Sequence, residues 1–239
     1  MEAYRKVTIF ENTQLTKDMY EMKVELTDLP QAGQFYMLRA WTDVPYLPRP
    51  FSVCDADGKH LSFLYQKVGK GTEIMTKLRP GDQIDLLGPL GKGYPLEKGS
   101  IALIGGGVGI APLVYLAKHL RGPIDVYLGF KEEAFFTDRF IPYARKVFLS
   151  TENGSSGHQG FITELLDDNY DAAYACGNTQ MMKSVKDKID GLLYVSLESH
   201  MACGIGACLG CVQESSQGQL CVCKDGPVFN AKEVLFDDN

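Results

Sequence analysis

The stretch that decides the fold is IALIGGGVGIAP, residues 101–112. Its first four residues form a continuous apolar run, as expected of a parallel strand buried on both faces. A glycine-rich turn follows, and beyond it Leu113, Leu116, Ala117 and Leu120 keep helical spacing. A strand, a glycine turn and a helix in this order place backbone amides and the helix dipole where they can receive a diphosphate. The stretch therefore predicts a nucleotide-binding α/β unit.

The same alternation continues towards the C-terminus. Strands are predicted at 124–128, 146–150, 172–175 and 193–195, with helices at 161–166 and 181–189. Five strands alternating with helices predict a doubly wound parallel sheet whose ligand lies at the carboxyl ends of the strands. The glycine turn, Gly129 and Cys176-Gly177 all lie at such ends. The turn lacks the full dinucleotide fingerprint, so the alternative that its glycines serve only packing stays open.

Residues 4–96 show a different pattern, that of a small antiparallel β-barrel. Short segments rich in β-formers, at 7–10, 20–26, 34–40 and 61–65, are separated by Pro, Gly, Asp and Asn. A short helix is predicted at 72–78. Two segments carry groups suited to ligand binding. Arg49-Pro50-Phe51-Ser52 offers a guanidinium and a hydroxyl. Gly69-Lys70-Gly71-Thr72 is either an anion site or a plain turn. Tyr65 either stacks on a cofactor or fills the core.

Five of the seven cysteines lie near the C-terminus. Cys203, Cys208 and Cys211 have the C-x4-C-x2-C spacing that holds a [2Fe–2S] cluster in plant-type ferredoxins, and the intervening glycines free backbone N–H groups to face the sulfur atoms. The fourth ligand is Cys221 or Cys223, which face the same side if the segment is extended. Cys223 is favoured because the turn sequence 224–227 follows it. The alternatives are structural zinc, and disulfides, against which the odd cysteine count argues.

Composition bounds the function. The chain has 239 residues, 45% of them apolar, and a formal net charge of −6. That charge and its even distribution disfavour nucleic acid as a partner. No run approaches the length of a membrane span, and residues 1–6 lack the apolar core of a signal peptide, so a cytoplasmic protein is expected. The four histidines show no ligand spacing, Cys54 is predicted to be a core residue, and Cys176 either contacts a nicotinamide without acting as a catalyst or is an inert core residue.

In this order the motifs resemble the ferredoxin-NADP reductase superfamily. The tail, residues 201–208 and 223–229, is similar nearly letter for letter to a narrower family, the electron transfer subunits of NAD-dependent dihydroorotate dehydrogenase. The chain departs from that family at Asn178, at Gln66 and in the extra thiol of Cys221. The resemblance implies three domains: an FAD-binding barrel (1–98), an NAD-binding α/β domain (99–197) and a [2Fe–2S] module (198–239).

The resemblance also implies a role for each matching residue and no catalytic residue for dihydroorotate. The FAD ligands implied are Arg49, Pro50, Phe51, Ser52, Leu64, Tyr65, Gln66, Gly71 and Thr72. The NAD ligands implied are Gly105, Gly106, Gly107, Val108, Gly109, Ala111, Pro112, Cys176 and Gly177. The cluster ligands implied are Cys203, Cys208, Cys211 and Cys223.

The function implied is electron relay in pyrimidine biosynthesis. A partner subunit that carries FMN oxidises dihydroorotate and passes electrons through the cluster and FAD to NAD, in a heterotetramer of two such pairs. Two alternatives stay open: a subunit of a ferredoxin-NADP transhydrogenase or sulfide dehydrogenase, and a zinc-stapled module that senses nucleotide.

Overall fold

The computed structural model describes residues 4–216 and 218–236. The N-terminal part is a closed antiparallel barrel of six strands, with strand order β1-β2-β5-β4-β3-β6, which confirms the predicted barrel. Its predicted helix begins and ends earlier than expected. The elements are β1 (Arg5–Gln14), β2 (Met19–Glu25), β3 (Phe35–Arg39), β4 (Arg49–Ala56), β5 (His60–Gln66), α1 (Lys70–Met75) and β6 (Gln83–Leu90).

The barrel is followed by the predicted doubly wound α/β sheet. Its elements are β7 (Ile101–Gly106), α2 (Ala111–His119), β8 (Ile124–Phe130), β9 (Lys146–Thr151), β10 (His158–Gln159), β11 (Ala172–Cys176), α3 (Thr179–Lys188) and β12 (Leu192–Ser196). The five long strands are parallel in the order β9-β8-β7-β11-β12, and β7, which bears the glycine turn, is the central one. The predicted α/β class is therefore confirmed.

The helix predicted at 161–166 is wrong in type. Residues Ile162–Leu165 form a single 3-10 turn. Gly160, with φ +137, precedes this turn, and the polar run 167–169 follows it. Both features favour turns over a continued helix, so the apolar residues of this segment pack against the sheet without forming further helical turns.

The C-terminal segment returns to both halves of the molecule. Its elements are β13 (Val212–Ser215), β14 (Gly218–Cys221), the one-turn helix α4 (Val222–Asp225) and β15 (Val228–Asn230). Strand β15 adds antiparallel to β12 at the edge of the sheet. Just before it, the carbonyl of Gly226 accepts from Lys92 N at 2.7 Å, and the carbonyl of Pro227 accepts from Leu197 N at 2.9 Å. The cysteine-rich segment is thus fastened to barrel and sheet alike.

Two ion pairs join the barrel to the α/β sheet. Lys118 on α2 pairs with Asp55 on β4. Arg139 donates to Glu21 at 3.2 Å, and the Glu21 side chain is only 6% exposed. A buried carboxylate needs such partners, because leaving it unpaired costs several kcal/mol, on the order of 3–5. The two halves therefore have a fixed relation along the face where α2 meets β4.

Asp125, near the start of β8, illustrates how the sheet is stabilised at the amino ends of its strands. Its two carboxylate oxygens accept from Arg145, at 2.9 Å from Nε and 2.5 Å from Nη2, and Tyr170 donates to Oδ2 at 3.0 Å. The bonds from Arg145 hold the pKa of Asp125 below its ordinary value, in spite of burial. A carboxylate with a lowered native pKa stabilises the fold above its unfolded pKa, and this stabilisation is lost as pH falls through the native pKa.

We expect Arg145→Gln to lower the melting temperature at pH 7, with a deficit that narrows below about pH 4, where Asp125 is protonated in the unfolded chain. The measurement is thermal unfolding of wild type and variant between pH 3 and pH 7. Arg121→Gln is the control, because Arg121 donates only to the backbone carbonyls of Leu120 and Lys118. A deficit of equal size at pH 3 and pH 7 would show that the carboxylate is not involved.

Among the described residues, no helix has the length and apolar character needed to cross a membrane. Residues 1–3 of the segment considered for a signal peptide lie outside the described part of the chain. The domain boundaries at 98/99 and 197/198 stay predictions. Cys54 is buried in β4, as predicted.

Candidate functional site

The candidate site is a cleft of about 370 Å³ between the barrel and the sheet. It brings together three segments that are far apart in sequence: the strands β4 and β5 of the barrel, the turn between β7 and α2, and the chain that follows β12. Predicted FAD residues that line it are Arg49, Pro50, Phe51, Ser52, Leu64, Tyr65, Gln66 and Thr72, and predicted NAD residues that line it are Val108, Ala111 and Pro112.

Arg49 lies at one end of the cleft, at the start of β4. Its guanidinium donates to the carbonyls of Leu47 (2.7 Å) and Pro48 (3.2 Å) and lies 5.6 Å from the centre of the Trp41 ring. Trp41 Nε1 is buried and has no hydrogen-bond partner among the described residues. A fixed guanidinium whose remaining N–H donors have no partner among the described residues is suited to a phosphate group. This arrangement fits the diphosphate of FAD.

The turn 68–72 lies beside Arg49. The hydroxyl of Thr72 accepts from Val68 N (3.0 Å) and Gly69 N (3.1 Å), so it closes the turn itself. A Cβ added at Gly71 would lie 2.8 Å from the Trp41 ring, which explains the glycine by close packing. Gly71 is not among the residues that line the cleft, whereas Thr72 is. Both stay predicted FAD ligands.

Tyr65 combines the two roles that the sequence left open. Its ring is buried, stacks on Tyr20 with centroids 5.4 Å apart, and meets Phe51 edge-on at 6.0 Å. Its hydroxyl donates to Asn12 Oδ1 at 2.9 Å, and burial raises its pKa, so the phenol stays protonated. Because Tyr65 also lines the cleft, it forms part of an aromatic wall suited to a flat ring system.

The glycines of the turn after β7 have separate structural reasons. A Cβ at Gly105 would approach Ile110 (2.8 Å), one at Gly106 would approach Met181 (2.7 Å), and one at Gly109 would lie 2.5 Å from the carbonyl oxygen of Cys176. These three glycines are close-packing positions. Gly107 alone in this turn has a positive φ, +54, with nothing within 4 Å of an added Cβ.

The positions of the predicted NAD ligands follow from these contacts. The open backbone at Gly107 is where a diphosphate can approach, since the other glycines are covered. Gly177 packs under Met181, with 2.6 Å from an added Cβ to the methyl group. Cys176 is buried at the end of β11, and burial raises its pKa. Cys176 does not line the cleft, and contact between its thiol and a nicotinamide stays a prediction.

Sequence reasoning missed the segment after β12. Leu197, Glu198, Ser199 and Met201 line the cleft, as do Phe35, Val68, Gly69 and Pro227. The rule that ligands bind beyond the carboxyl ends of parallel strands already covered residues 197–199, because β12 is the last strand of the parallel set. Burial raises the pKa of Glu198.

The four predicted cluster ligands share one feature. Each thiol accepts a backbone N–H: Cys203 from Cys208 (3.4 Å), Cys208 from Gly210 (3.4 Å), Cys211 from Cys223 (3.3 Å), and Cys223 from Gly206 (3.1 Å). Such bonds stabilise thiolates and are a feature of iron–sulfur ligands. The loop therefore has the donor set and the backbone pattern that a [2Fe–2S] cluster requires.

Ionisation of the thiols differs with their surroundings. Burial opposes ionisation of Cys203, but the backbone N–H groups of Ile205, Cys208 and Ala207 outweigh it and lower its pKa to about 6. Burial raises the pKa of Cys223 to about 12. Binding of a metal removes that proton, because the thiolate is the ligand.

Cys221 and Cys223 differ in backbone conformation, because the segment is not extended throughout, but the thiols of both are hydrogen-bonded to Cys211. Cys221 ends β14, where it pairs with Val212, whereas Cys223 lies in the helical turn α4. The change of backbone conformation at Val222 turns the Cys223 thiol towards Gly206. Among the described residues, no three His, Cys, Asp or Glu side chains are grouped closely enough to hold a single metal ion.

The cysteine loop is exposed on its outer side. Cys208 is exposed, and so are the apolar side chains of Ile205, Leu209 and Val212. On its inner side, a Cβ at Gly204 would lie 2.7 Å from Met37 of the barrel, so the loop rests directly on β3. One edge of the site is thus open for another protein, and the other edge adjoins the cleft through Met201.

Comparison with known proteins shows which proteins this chain is similar to. The family of the iron–sulfur cluster binding domain of dihydroorotate dehydrogenase B matches residues 198–235. The dihydroorotate dehydrogenase B (NAD(+)) electron transfer subunits of Clostridium acetobutylicum and Clostridium perfringens are both 42% identical to this chain. The first match covers 99% of each chain, and the second covers 98% of each.

Two solved structures with a similar fold are flavin-dependent oxidoreductases. An NADH-dependent reduced ferredoxin-NADP oxidoreductase, described in work on flavin-based electron bifurcation, superposes with a TM-score of 0.88 at 27% identity, over 100% of this chain and 92% of that one. A ferredoxin NADP+ reductase from Neisseria gonorrhoeae with bound FAD and NADP superposes with a TM-score of 0.64 at 18% identity, over 77% and 89%, and shares the fold.

The fold and the cleft define a flavin- and nicotinamide-dependent oxidoreductase of the ferredoxin reductase type, extended by an iron–sulfur module. Within that class, the chain belongs to the family of the electron transfer subunits of dihydroorotate dehydrogenase B (NAD(+)). The predicted family, the predicted role in electron transfer and the predicted FAD, [2Fe–2S] and NAD cofactors are thereby confirmed.

Proposed function

We propose that this chain relays electrons from a dihydroorotate-oxidising partner to NAD, and that it has no activity on dihydroorotate by itself. The observation that carries the proposal is the single cleft on which all three parts converge: Ser52 from the barrel, Pro112 from the sheet and Met201 from the cysteine loop. When bound, FAD exchanges electrons singly or in pairs, the cluster passes single electrons, and NAD takes up a hydride.

Barrel residues have the task of holding FAD. Arg49 and the turn 68–72 bind its anionic part, and the hydroxyl of Ser52 offers a hydrogen bond to a ring edge. Tyr65 and Phe51 exclude water from one side of the cleft because both are packed aromatic rings. The phenol of Tyr65 donates to Asn12 Oδ1, a bond that fixes the position of its ring in this wall.

Residues of the α/β sheet have the task of binding NAD. The backbone of Gly107 receives the diphosphate at the start of the helical segment that leads into α2. Val108, Ala111 and Pro112 form the wall of the cleft on this side. A nicotinamide bound against this wall would face the barrel side of the cleft, where it would exchange a hydride with the flavin.

The cysteine loop has the task of receiving electrons from outside the chain. Thiolates of Cys203, Cys208, Cys211 and Cys223 hold the cluster, and the N–H groups that face their sulfur atoms offset the negative charge. The apolar rim around Cys208 is the surface on which the partner docks, in keeping with the apolar core of stable interfaces. A partner carrying FMN and a heterotetramer of two pairs complete the proposal, together with a cytoplasmic location.

Dihydroorotate oxidation itself belongs to the partner. The relatives are named electron transfer subunits, and this name implies a separate catalytic subunit. Within 4–216 and 218–236 the strands form a six-stranded barrel, one seven-stranded sheet and one hairpin, and none of these is the eight-stranded parallel barrel that would house such a site.

The test separates relay from catalysis. We expect the isolated chain to oxidise NADH with an artificial acceptor, to show no dihydroorotate oxidation, and to support NAD-dependent dihydroorotate turnover only after the catalytic subunit is added. Product formation is followed by orotate absorbance, with the catalytic subunit alone and an artificial acceptor as the control. Dihydroorotate oxidation by the isolated chain would refute the division of labour.

The transhydrogenase alternative has one supporting observation, the TM-score of 0.88 with the ferredoxin-NADP oxidoreductase. Sequence identity decides against it, since 27% there compares with 42% to the electron transfer subunits over nearly the whole chain. Reduction of ferredoxin by NADPH in the absence of any partner would revive that alternative.

A further inference from the structure

A loop beside the cleft exposes apolar side chains that nothing in the relay explains. Residues 40–48 connect β3 to β4, and within the part 41–48 of this connection Val44, Tyr46 and Leu47 face solvent. Tyr46 is 81% exposed, more than any other large hydrophobic residue in the described chain. A single exposed aliphatic residue needs no explanation, but an aromatic ring held out beside a ligand cleft is a candidate contact surface.

The loop is anchored at both ends. Arg39 donates to the carbonyls of Trp41 (Nε, 2.8 Å) and Thr42 (Nη2, 2.5 Å) at its start, and Arg49 donates to the carbonyls of Leu47 and Pro48 at its end. Pro45 and Pro48 restrict the backbone between these anchors. A ring presented on such a loop loses little conformational freedom when a ligand stacks on it.

The anchors place the loop at the diphosphate end of the cleft. Trp41, its first residue, contacts both Arg49 and Gly71, the two residues between which the FAD diphosphate is proposed to lie. Arg49 lines the cleft and also bonds to Leu47, the neighbour of Tyr46. A flavin with its ring system against Tyr65 and its diphosphate at Arg49 therefore extends its adenosine towards the loop.

We propose that Tyr46 is the stacking platform for the adenine of FAD, and that loop 41–48 thereby selects FAD over FMN. The inference rests on the FAD site of the proposed function and adds to it the residue that binds the adenine. A protein partner is the less suitable occupant of the loop, because Arg49 ties the loop to the cleft wall and so places it within reach of the flavin itself. Adenine offers a flat π-face of the size of one side chain.

The test compares two flavins on the full-length chain after removal of its bound flavin. Stacking of one base on an aromatic side chain contributes about 1–3 kcal/mol, and 1.4 kcal/mol is about a tenfold change in Kd. We expect Tyr46→Ala to raise the Kd of FAD about tenfold and to leave the Kd of FMN, which has no adenine, unchanged. Quenching of flavin fluorescence measures both. Tyr46→Phe keeps the ring and is expected to bind FAD like the wild type.

Tyr143→Ala is the matched control, because Tyr143 is also an exposed tyrosine but follows the 3-10 turn Thr137–Arg139, in another part of the chain. An equal rise in both Kd values for Tyr46→Ala would mean that the loop is distorted and would overturn the proposal. So would an unchanged Kd of FAD, whether or not binding of the catalytic subunit weakens. A wild-type chain that binds neither flavin would instead refute the proposed FAD site.

Discussion

Replacement of Cys223 by serine is expected to remove the cluster while the flavin remains. The thiol of Cys223 is buried, accepts from Gly206 N at 3.1 Å, and lies next to Cys211, whose sulfur accepts from Cys223 N. A serine hydroxyl is a harder and weaker ligand for iron than a thiolate. Iron and acid-labile sulfide should fall to a small fraction of the wild-type content, with loss of the long-wavelength absorbance, at an unchanged ratio of flavin to protein.

Cys221→Ser is the matched control, two residues away in the same segment. Cys221 ends β14 and its N–H donates to Asp225, so its backbone is fixed by contacts that a serine leaves intact. The variant should keep its iron, sulfide and electron paramagnetic resonance signal. Loss of the cluster from Cys221→Ser with its retention in Cys223→Ser would transfer the fourth position to Cys221.

The second large effect is expected from Gly109→Ala in the turn before α2. The added Cβ would lie 2.5–2.7 Å from three backbone atoms, Cys176 O, Cys176 C and Gly177 N. Backbone cannot move aside as a flexible side chain can, so the turn and the end of β11 have to separate. Overpacking of this kind costs about 1–3 kcal/mol or more, equivalent to a melting temperature lower by roughly 5–10 °C, and it also displaces the nicotinamide side of the cleft.

Gly107→Ala is the control for that variant. Its Cβ meets nothing within 4 Å, so the only cost is the positive φ, about 1–2 kcal/mol for a non-glycine residue. Thermal unfolding and NADH titration together separate the two. We expect Gly109→Ala to lose both stability and NADH oxidation, and Gly107→Ala to weaken NADH binding with the smaller loss of stability. A fully stable Gly109→Ala would contradict the close contact between turn and strand.

The features that could be predicted are those encoded locally. The apolar run at 101–104 followed by glycines predicted β7 and its turn, and the alternation after it predicted the parallel strands and α3, but not the 3-10 turn Ile162–Leu165. The spacing of Cys203, Cys208 and Cys211 predicted the iron–sulfur module, which the family comparison confirms. Each of these signals is read from a segment of about a dozen residues or fewer, a range over which backbone geometry and side-chain type decide structure together.

Other features could not be predicted, because they are contacts between residues far apart in sequence. Met181 covers Gly106, Cys176 covers Gly109, and Trp41 lies against Gly71, so only the folded chain shows which glycines are packed and which backbone is open. The strand-end rule pointed to residues 197–199, but only the placement of β12 beside β11 shows that Met201 also lines the cleft.

The sequence by itself determined the class of each part: a barrel, a parallel sheet with a glycine turn, and a thiol-rich loop with the spacing of an iron–sulfur site. Tertiary structure decided how these three parts are arranged around one cleft. The addition of β15 to β12 and the bonds of residues 226 and 227 to Lys92 and Leu197 fasten the thiol-rich segment beside the cleft, which its residues Met201 and Pro227 line. The physical reason is that spacing along a chain fixes local geometry, whereas distance between parts depends on packing and hydrogen bonds that close only in the folded protein.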